Sequence, residues 1–422
     1  MKKDKRKHEK HKTREIKKAK RGVLKKHTKA GAGFIEQVKT RVPGVDFPLV
    51  LVTLGLMVFG VVMVFSASYY WSMDQYGKPY SYLIRDAAWV IIGALCMFVF
   101  SYIDYKLYKK YYKIILIVSI VLLLLLFTPL GVTVKGATRW LNLKITTLMP
   151  GEIAKIAAIL FTAGYLADKK EKEINSLTGT IIPMLLICGI YGVLIMMQPN
   201  MSTAATVVAI IIAMMFIAGV RISYFVILLA IGAAAGLLYI FAGGGYHLDR
   251  VTSFLDPFAD PQGDSYQVVQ SLLALGSGGL FGKGLGNSIQ KTLYLPEPQN
   301  DFILAIIGEE LGYIGILIMV AAFAYMIWRG LKVALNAPDR FGLLLGCGVM
   351  MQIGIQLIFN IAIVTSSMPP TGVALPFVSY GGNAMVLYCI GMGIVLNISR
   401  QAKKSEEQAA TRKNLEERIY IN

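Results

Sequence analysis

Apolar residues in this chain run in long blocks, and polar residues fall mainly between them. Ten windows, 48–68, 84–103, 113–130, 150–167, 179–197, 200–219, 223–242, 302–328, 341–365 and 382–399, each approach the ~20 apolar residues that a helix needs to cross a bilayer. The pattern therefore predicts an all-α, polytopic membrane protein with ten transmembrane helices. Every second connection is basic. Lys106, Lys109, Lys110 and Lys113 follow the second window, and Lys169, Lys170 and Lys172 follow the fourth. Arg221, then Arg329, Lys332 and Arg340, then Arg400, Lys403 and Lys404 continue the series. Positive loops stay on the cytoplasmic side, which places both termini there.

The opposite side receives two long loops, 131–149 and 243–300. The second far exceeds an ordinary connector, and loops of that length are either functional or unstructured. Its sequence carries order signals: VTSFLDPF, then SYQVVQSLLALGSGG, then the glycines of GKGLGNS. The stretch from Gln267 to Leu275 is amphipathic and suits a helix in the interface plane, which makes Gln267 a candidate contact for substrate. Gly282, Gly284 and Gly286 follow no strand, so a tight turn explains them better than a phosphate loop.

Composition sharpens this picture. A mean hydropathy of +0.57 with 55% hydrophobic residues excludes an ordinary soluble domain. The net charge of +18 is concentrated at the start: residues 1–41 hold seventeen Lys/Arg against four acidic residues, a net +13. This segment lacks the apolar residues for a core, so residues 1–45 read as a disordered basic cytoplasmic tail. Directly before a membrane span, such a tail marks the inner side and touches anionic lipid, so nucleic acid is not among the expected partners. It has no signal-peptide pattern, and the first span reads as an uncleaved anchor. Residues 46–399 form the membrane domain, and 400–422 a second cytoplasmic tail. Cys96, Cys188, Cys347 and Cys389 lie in apolar runs without CxxC spacing and read as buried small hydrophobes. Three of the four histidines, His8, His11 and His27, are in the tail, which leaves His247. Histidine metal sites and Ser-His-Asp triads are thereby excluded, and chemistry falls to carboxylates, Lys/Arg and a borrowed cation.

The richest stretch is YLPEPQNDF, Tyr294–Phe302, which places Glu297 and Asp301 beside two prolines at the mouth of a membrane helix. A carboxylate there is a functional-site hypothesis by default. Asp301 also has the residue type and position of a helix N-cap. A second group forms around PGEIAKIA. Glu152 and Lys155 share a helix face at i, i+3, with Lys155 roughly 7 Å below the helix start. One reading is a Glu–Lys pair joining helices. The other is that Lys155, with Arg139 and Arg250, holds pyrophosphate while Trp140 anchors at the headgroups. Glu309 and Glu310 suit a helix contact, and Gln352, Gln356 and Asn360, at i, i+4, i+8, suit interhelical hydrogen bonds. Gln198-Pro199-Asn200 marks a short outer turn, and Ser379 opens SYGG, where it either lines a cavity or forms a turn.

Taken in order, GATRWLNL, PGEIAK, QPN, the long VTSFLDPF…GKGLGNS run, LPEPQNDFILAIIGEELGYIG and LPFVSYGGN resemble the SEDS family of FtsW, RodA and SpoVE over nearly all the chain after residue 45. Val251 to Gly315 is most similar to the FtsW/SpoVE branch. The resemblance implies a peptidoglycan glycosyltransferase that polymerises lipid II at the outer face of the plasma membrane and releases undecaprenyl pyrophosphate. It implies Asp301 as the catalytic carboxylate and Glu297 as its acidic neighbour. Arg139 and Lys155 would be substrate contacts, and a class B penicillin-binding protein and other divisome proteins would be partners. The leaving oxygens suit Mg²⁺ or Mn²⁺. A precursor flippase, a RodA-type elongation polymerase and a silent scaffold are the competing readings. The chain departs from the family pattern at Gly151, Asn200, Ser202, Asn300 and Asn383.

Overall fold

The structure is a computed structural model that describes residues 44–134, 136–144, 147–227, 256–259, 261–263, 265–369 and 371–421. The basic arm before residue 44, most of the seventh window, Arg250 and His247 lie outside the described residues. The other nine windows coincide with helices. These are α1 (Phe47–Tyr76), α2 (Ser81–Tyr102), α3 (Lys106–Leu125), α4 (Pro150–Ala167) and α5 (Ile182–Met196, preceded by a π turn at Leu177–Ile181). After them come α6 (Met201–Ile217), α7 (Tyr266–Gly278), α8 (Ile303–Leu335), α9 (Arg340–Val364) and α10 (Gly382–Ile421). Of these, α7 belongs to the long loop. Six of the described helices are long and apolar enough to cross a membrane by length and composition.

Local chemistry sets the helix ends. Asp46 caps α1 by accepting from Leu49 N at 3.1 Å, and Gly77, in the left-handed region at φ 64°, stops it. Outward positions such as Ile84, Ile91, Leu95, Ile114 and Ile117 are exposed and apolar, as lipid requires. Polar residues turn inward. Helix α4 is buried on almost every face, and its Ala154, Ala158, Ala163 and Gly164 admit close neighbours, as in other membrane bundles.

The connections segregate to two ends. At one, Lys109 pairs with Asp168 at 2.8 Å, and Arg329 with Asp46 at 2.9 Å. There Arg340 also donates to the Lys169 and Ala218 carbonyls at 2.9 and 3.3 Å. The same end holds Asn397, which accepts from Tyr105 N at 3.0 Å and donates to Ser101 O at 2.9 Å. These are the loops with the alternating positive charge. The other end carries a three-stranded antiparallel sheet, β1 (Gly131–Val134), β2 (Ala137–Asn142) and β3 (Thr147–Leu148), together with α7 and the loops before α8 and α10.

Three expectations need revision. The third helix occupies 106–125 instead of 113–130, because its lysines are part of the helix and its outer end turns into the sheet. The last helix continues as one element through the charged segment to Ile421. Most significantly, α8 is broken at Gly312 (φ 70°, ψ −172°). Segment 279–284 satisfies the freed backbone groups. Lys283 N and Gly284 N donate to the carbonyls of Glu309 and Glu310, and Tyr313 N and Ile314 N donate to Gly279 and Leu280, all at 2.9–3.1 Å. A Cβ at residue 312 would lie 2.3 Å from Gly282 N, so glycine is required there by space as well as by φ.

If the basic end faces the cytoplasm, a cysteine at exposed Gln262 should react with a membrane-impermeant maleimide in intact cells. One at exposed Lys172 should react only after permeabilisation. Cys188, Cys347 and Cys389 are buried and give little background. The reverse pattern would invert the topology.

Candidate functional site

The site at the sheet-bearing end is assembled mainly through the backbone. The chain leaves α3, turns at Thr128 and pairs β1 with β2, so that Val132 faces Trp140. Trp140 is half-buried at this rim. From β2, Arg139 donates through Nη2 to the carbonyl of Pro199, which joins the sheet to the turn between α5 and α6. A cavity of about 410 Å³ lies between sheet and turn, with Thr128, Thr133, Thr138 and Gln198 among its walls.

Asn200 N-caps α6. Its Oδ1 accepts from Thr203 N at 3.4 Å and from Ser202 Oγ at 3.3 Å. Ser202 Oγ also reaches the carbonyl of Gly372 at 3.3 Å. Gly372 (φ 68°) lies against Asp301, and a Cβ there would come within 2.8 Å of Asp301 Oδ2. From α9, Asn360 donates to the carbonyls of Asp301 and Val373 at 2.8 and 2.7 Å and holds both loops. Burial lowers the pKa of Arg139, and the Asp301 carboxylate opposes that shift, so the two side chains sense each other. Arginine stays charged through such a shift.

Glu297 is half-buried with φ 47°, a conformation that costs a non-glycine residue about 1–2 kcal/mol. Asn300 stabilises it, donating from Nδ2 to Glu297 Oε2 at 2.9 Å and from its backbone N to Glu297 O at 3.1 Å. The next loop is tied on by Tyr380 N, which donates to Gln299 O at 2.9 Å. Ser379 closes its own turn: its hydroxyl accepts from Leu375 N at 2.8 Å. Asn383 donates to Thr147 O at 2.9 Å, joining α10 to β3. The departures at 200, 300 and 383 are thus asparagines with definite geometric work, and an N-cap is a position where Asn serves as well as Asp.

Lys155 and Glu152 pair at 2.7 Å, both buried, with Lys155 Nζ 5.8 Å from the Tyr388 ring centre. Glu152 Oε2 and, on α9, Gln352 Nε2 and Gln356 Oε1 are buried without a hydrogen-bond partner among the described residues. Gln267 is exposed on α7, whose other face packs inward, with Ser271 Oγ donating to Val364 O at 2.8 Å. That helix is therefore docked against the bundle through its buried face.

Sequence reasoning missed a second polar centre. Glu309 and Glu310 are fully buried and hold mainly a loop, where a helix contact was expected. Glu309 accepts from Lys283 Nζ at 2.7 Å, from Ser277 and Ser288 hydroxyls, and from Ile289 N and Gln290 N at 3.1 Å. Glu310 accepts from Lys291 Nζ at 2.7 Å and from Ser66 of α1 at 2.7–2.8 Å. Neither lysine carries a local signal, since each partner is some twenty residues away across the loop. Gln299 was missed too: it is fully buried, and neither end of its side chain meets a partner among the described residues.

The geometry defines a helical, multi-pass membrane protein with a carboxylate–arginine site at one end of the bundle. Residues 47–404 match the cell cycle protein family, FtsW/RodA/SpoVE, and the chain belongs to that family. It is 38% identical over 359 residues to stage V sporulation protein E of Bacillus subtilis (strain 168), covering 85% of this chain and 98% of that protein. It is 36% identical over 364 residues to the probable peptidoglycan glycosyltransferase FtsW of Geobacter sp. (strain M18), covering 86% and 99%. Among solved structures it resembles a chain of a peptidoglycan synthase complex that coordinates polymerization and crosslinking (TM-score 0.71, 22% identity, covering 86% and 99%). It also resembles the rod shape determining protein RodA of Thermus thermophilus (TM-score 0.63, 22% identity, covering 86% and 99%).

Lys291→Met should destabilise the protein by about 3–5 kcal/mol, because it leaves Glu310 buried without its cation. Lys283→Met should cost less, since that lysine is partly exposed and Glu309 retains four other donors. Unfolding midpoints in detergent would test this, and a wild-type midpoint for Lys291→Met would refute it.

Proposed function

We propose that this chain is a peptidoglycan glycosyltransferase that polymerises lipid II at the outer face of the plasma membrane. The observation that carries the reading is Asp301. Its carboxylate is held against Gly372, within electrostatic reach of Arg139, at the end of the bundle opposite the basic loops. Relatives named peptidoglycan glycosyltransferase share most of their length with it. In the reaction, a sugar hydroxyl of the acceptor attacks the anomeric carbon of the polyprenyl-linked donor. The new glycosidic C–O bond forms as the bond to the diphosphate breaks, and undecaprenyl pyrophosphate leaves with the bonding pair. Asp301 accepts the hydroxyl proton as general base, a role that typically contributes about 10²–10⁴-fold.

Arg139 offers its charge to the diphosphate, and Trp140 anchors at the headgroups. Glu297 flanks the acceptor, with Ser379 and Gln267 as outer contacts. Lys155, closed in its pair with Glu152, sets the charge of the chamber beneath. Among the described residues no group of three His, Cys, Asp or Glu is placed to hold a metal ion. Mg²⁺ or Mn²⁺ fits this site as an ion carried on the diphosphate, with Asp301 or Glu297 completing its shell. When bound, such an ion would neutralise leaving charge. A class B penicillin-binding protein, as transpeptidase, and other divisome membrane proteins are the proposed partners.

Phe302, with no side-chain cap bond, and not Asp301 is the N-cap of α8. Asp301→Asn should therefore lower lipid II polymerisation by about two orders of magnitude or more with normal expression, because Asn keeps the side chain's shape but cannot take a proton. Arg139→Ala in the same assay should raise the lipid II concentration needed for half-maximal rate. Near-wild-type synthesis by Asp301→Asn would reduce it to a structural residue.

We place the activity at the division septum, on the similarity to relatives named FtsW. A fluorescent fusion should form a midcell band in dividing cells; lateral patches or forespore placement would overturn this assignment.

A further inference from the structure

The rim beside Asp301 carries an aromatic surface that the polymerisation chemistry leaves unused. Tyr76 ends α1, Tyr82 begins α2 and Tyr380 precedes α10. Their rings meet edge to face, Tyr76–Tyr82 at 5.8 Å and Tyr82–Tyr380 at 5.0 Å. Arg85, one turn beyond Tyr82, lays its guanidinium 4.8 Å from the Tyr76 ring centre and donates to Tyr76 Oη at 3.3 Å. Tyr76 is 45% exposed, Arg85 is exposed, and no carboxylate pairs with Arg85 among the described residues. The adjacent acid, Asp86, lies one helical step round and is buried.

The inner edge of this surface is the candidate site itself. Tyr380 N donates to Gln299 O at 2.9 Å, and Glu297 lies within electrostatic reach of Tyr82. At the junction the Gln299 amide is buried with both ends unpartnered, as happens where a water or a ligand completes the set. Edge-to-face rings leave faces open to sugar C–H groups, and a guanidinium with no carboxylate beside it among the described residues selects carboxylate or phosphate.

We propose that Tyr76, Tyr82, Tyr380 and Arg85 form a saccharide subsite that holds a carboxylate-bearing glycan strand beside Asp301. The rings take the sugar faces and Arg85 takes the carboxylates of the strand's substituents. This rests on the polymerase reading and extends it: the subsite retains the strand between additions, so it governs chain length. Tyrosines at this level also suit a headgroup belt, which is the competing outcome. Against a belt, the three rings meet one another and Tyr380 is tied to the loop that carries Asp301, whereas a belt spreads round the circumference.

The test uses the purified full-length protein in detergent, where no bilayer rewards a belt. Two fluorescent, lipid-free probes are titrated by anisotropy: uncrosslinked peptidoglycan strands with their peptide carboxylates, and uncharged N-acetylglucosamine oligomers. Wild type should bind both saturably, and the charged strand more tightly. Tyr76→Ala should weaken both by about tenfold, and Arg85→Ala should remove the preference for the charged strand. Both variants should yield shorter glycans from lipid II. Thermal midpoints confirm that these substitutions, at exposed positions, leave the fold intact. Absence of saturable binding by wild type, or binding indifferent to both substitutions, overturns the subsite and leaves the rings as a belt. Because neither probe carries a leaving group, binding without lipid II polymerisation would sink the catalytic reading alone.

Discussion

A broken helix inside a membrane frees carbonyls and amides that lipid cannot satisfy, and the sheet-bearing half of this protein is arranged around one such break. At Gly312 the ladder of α8 is interrupted, and 279–284 lies alongside as a substitute strand of donors and acceptors. That loop has to be held, and two buried carboxylates hold it. Glu309 and Glu310, on the last turn before the break, gather Lys283, Lys291 and the backbone of 288–290. Each buried charge is compensated, and each compensating group is also a tether. The short stretch of α8 before the break thereby becomes a fixed pedestal, and Asp301 sits at its upper end.

From that pedestal the site is built with main-chain contacts. Asn360 spans the carbonyls of Asp301 and Val373, Tyr380 N reaches Gln299 O, and Ser202 reaches Gly372 O. Backbone carbonyls have no sequence identity, so such contacts persist when neighbouring side chains change.

Much of this was legible in the chain. Apolar blocks of membrane-spanning length gave the helices, and alternating loop charge gave the two ends, because both follow from the bilayer itself. YLPEPQNDF stood out because two carboxylates beside an apolar block are costly without a purpose. The break at Gly312 was not legible: glycine is common in membrane helices, and nothing local distinguishes one with φ 70°. Lys283 and Lys291 looked like ordinary loop charges, since their meaning depends on two glutamates that only folding brings near. The stripe Gln352, Gln356, Asn360 was visible as a stripe. Its division of labour was not: Asn360 clamps two loops, while Gln352 Nε2 and Gln356 Oε1 are buried without a hydrogen-bond partner among the described residues.

The charge balance follows from these placements. A diphosphate brings several negative charges, and carboxylates near it oppose binding in a low-dielectric setting. In this chain the α6 cap is the neutral Asn200 and the neutral Asn300 donates to Glu297, while Glu309, Glu310 and Glu152 each face a lysine at 2.7 Å. Of the carboxylates named for the site, Asp301 lies within electrostatic reach of Arg139, and Glu297 accepts from the neutral Asn300 amide. Under the proposed reaction that is a workable arrangement. The Asp301 carboxylate can take the acceptor's proton, and the Arg139 guanidinium meets the departing anion. Capping with asparagine preserves the geometry while keeping further negative charge out of the donor's path.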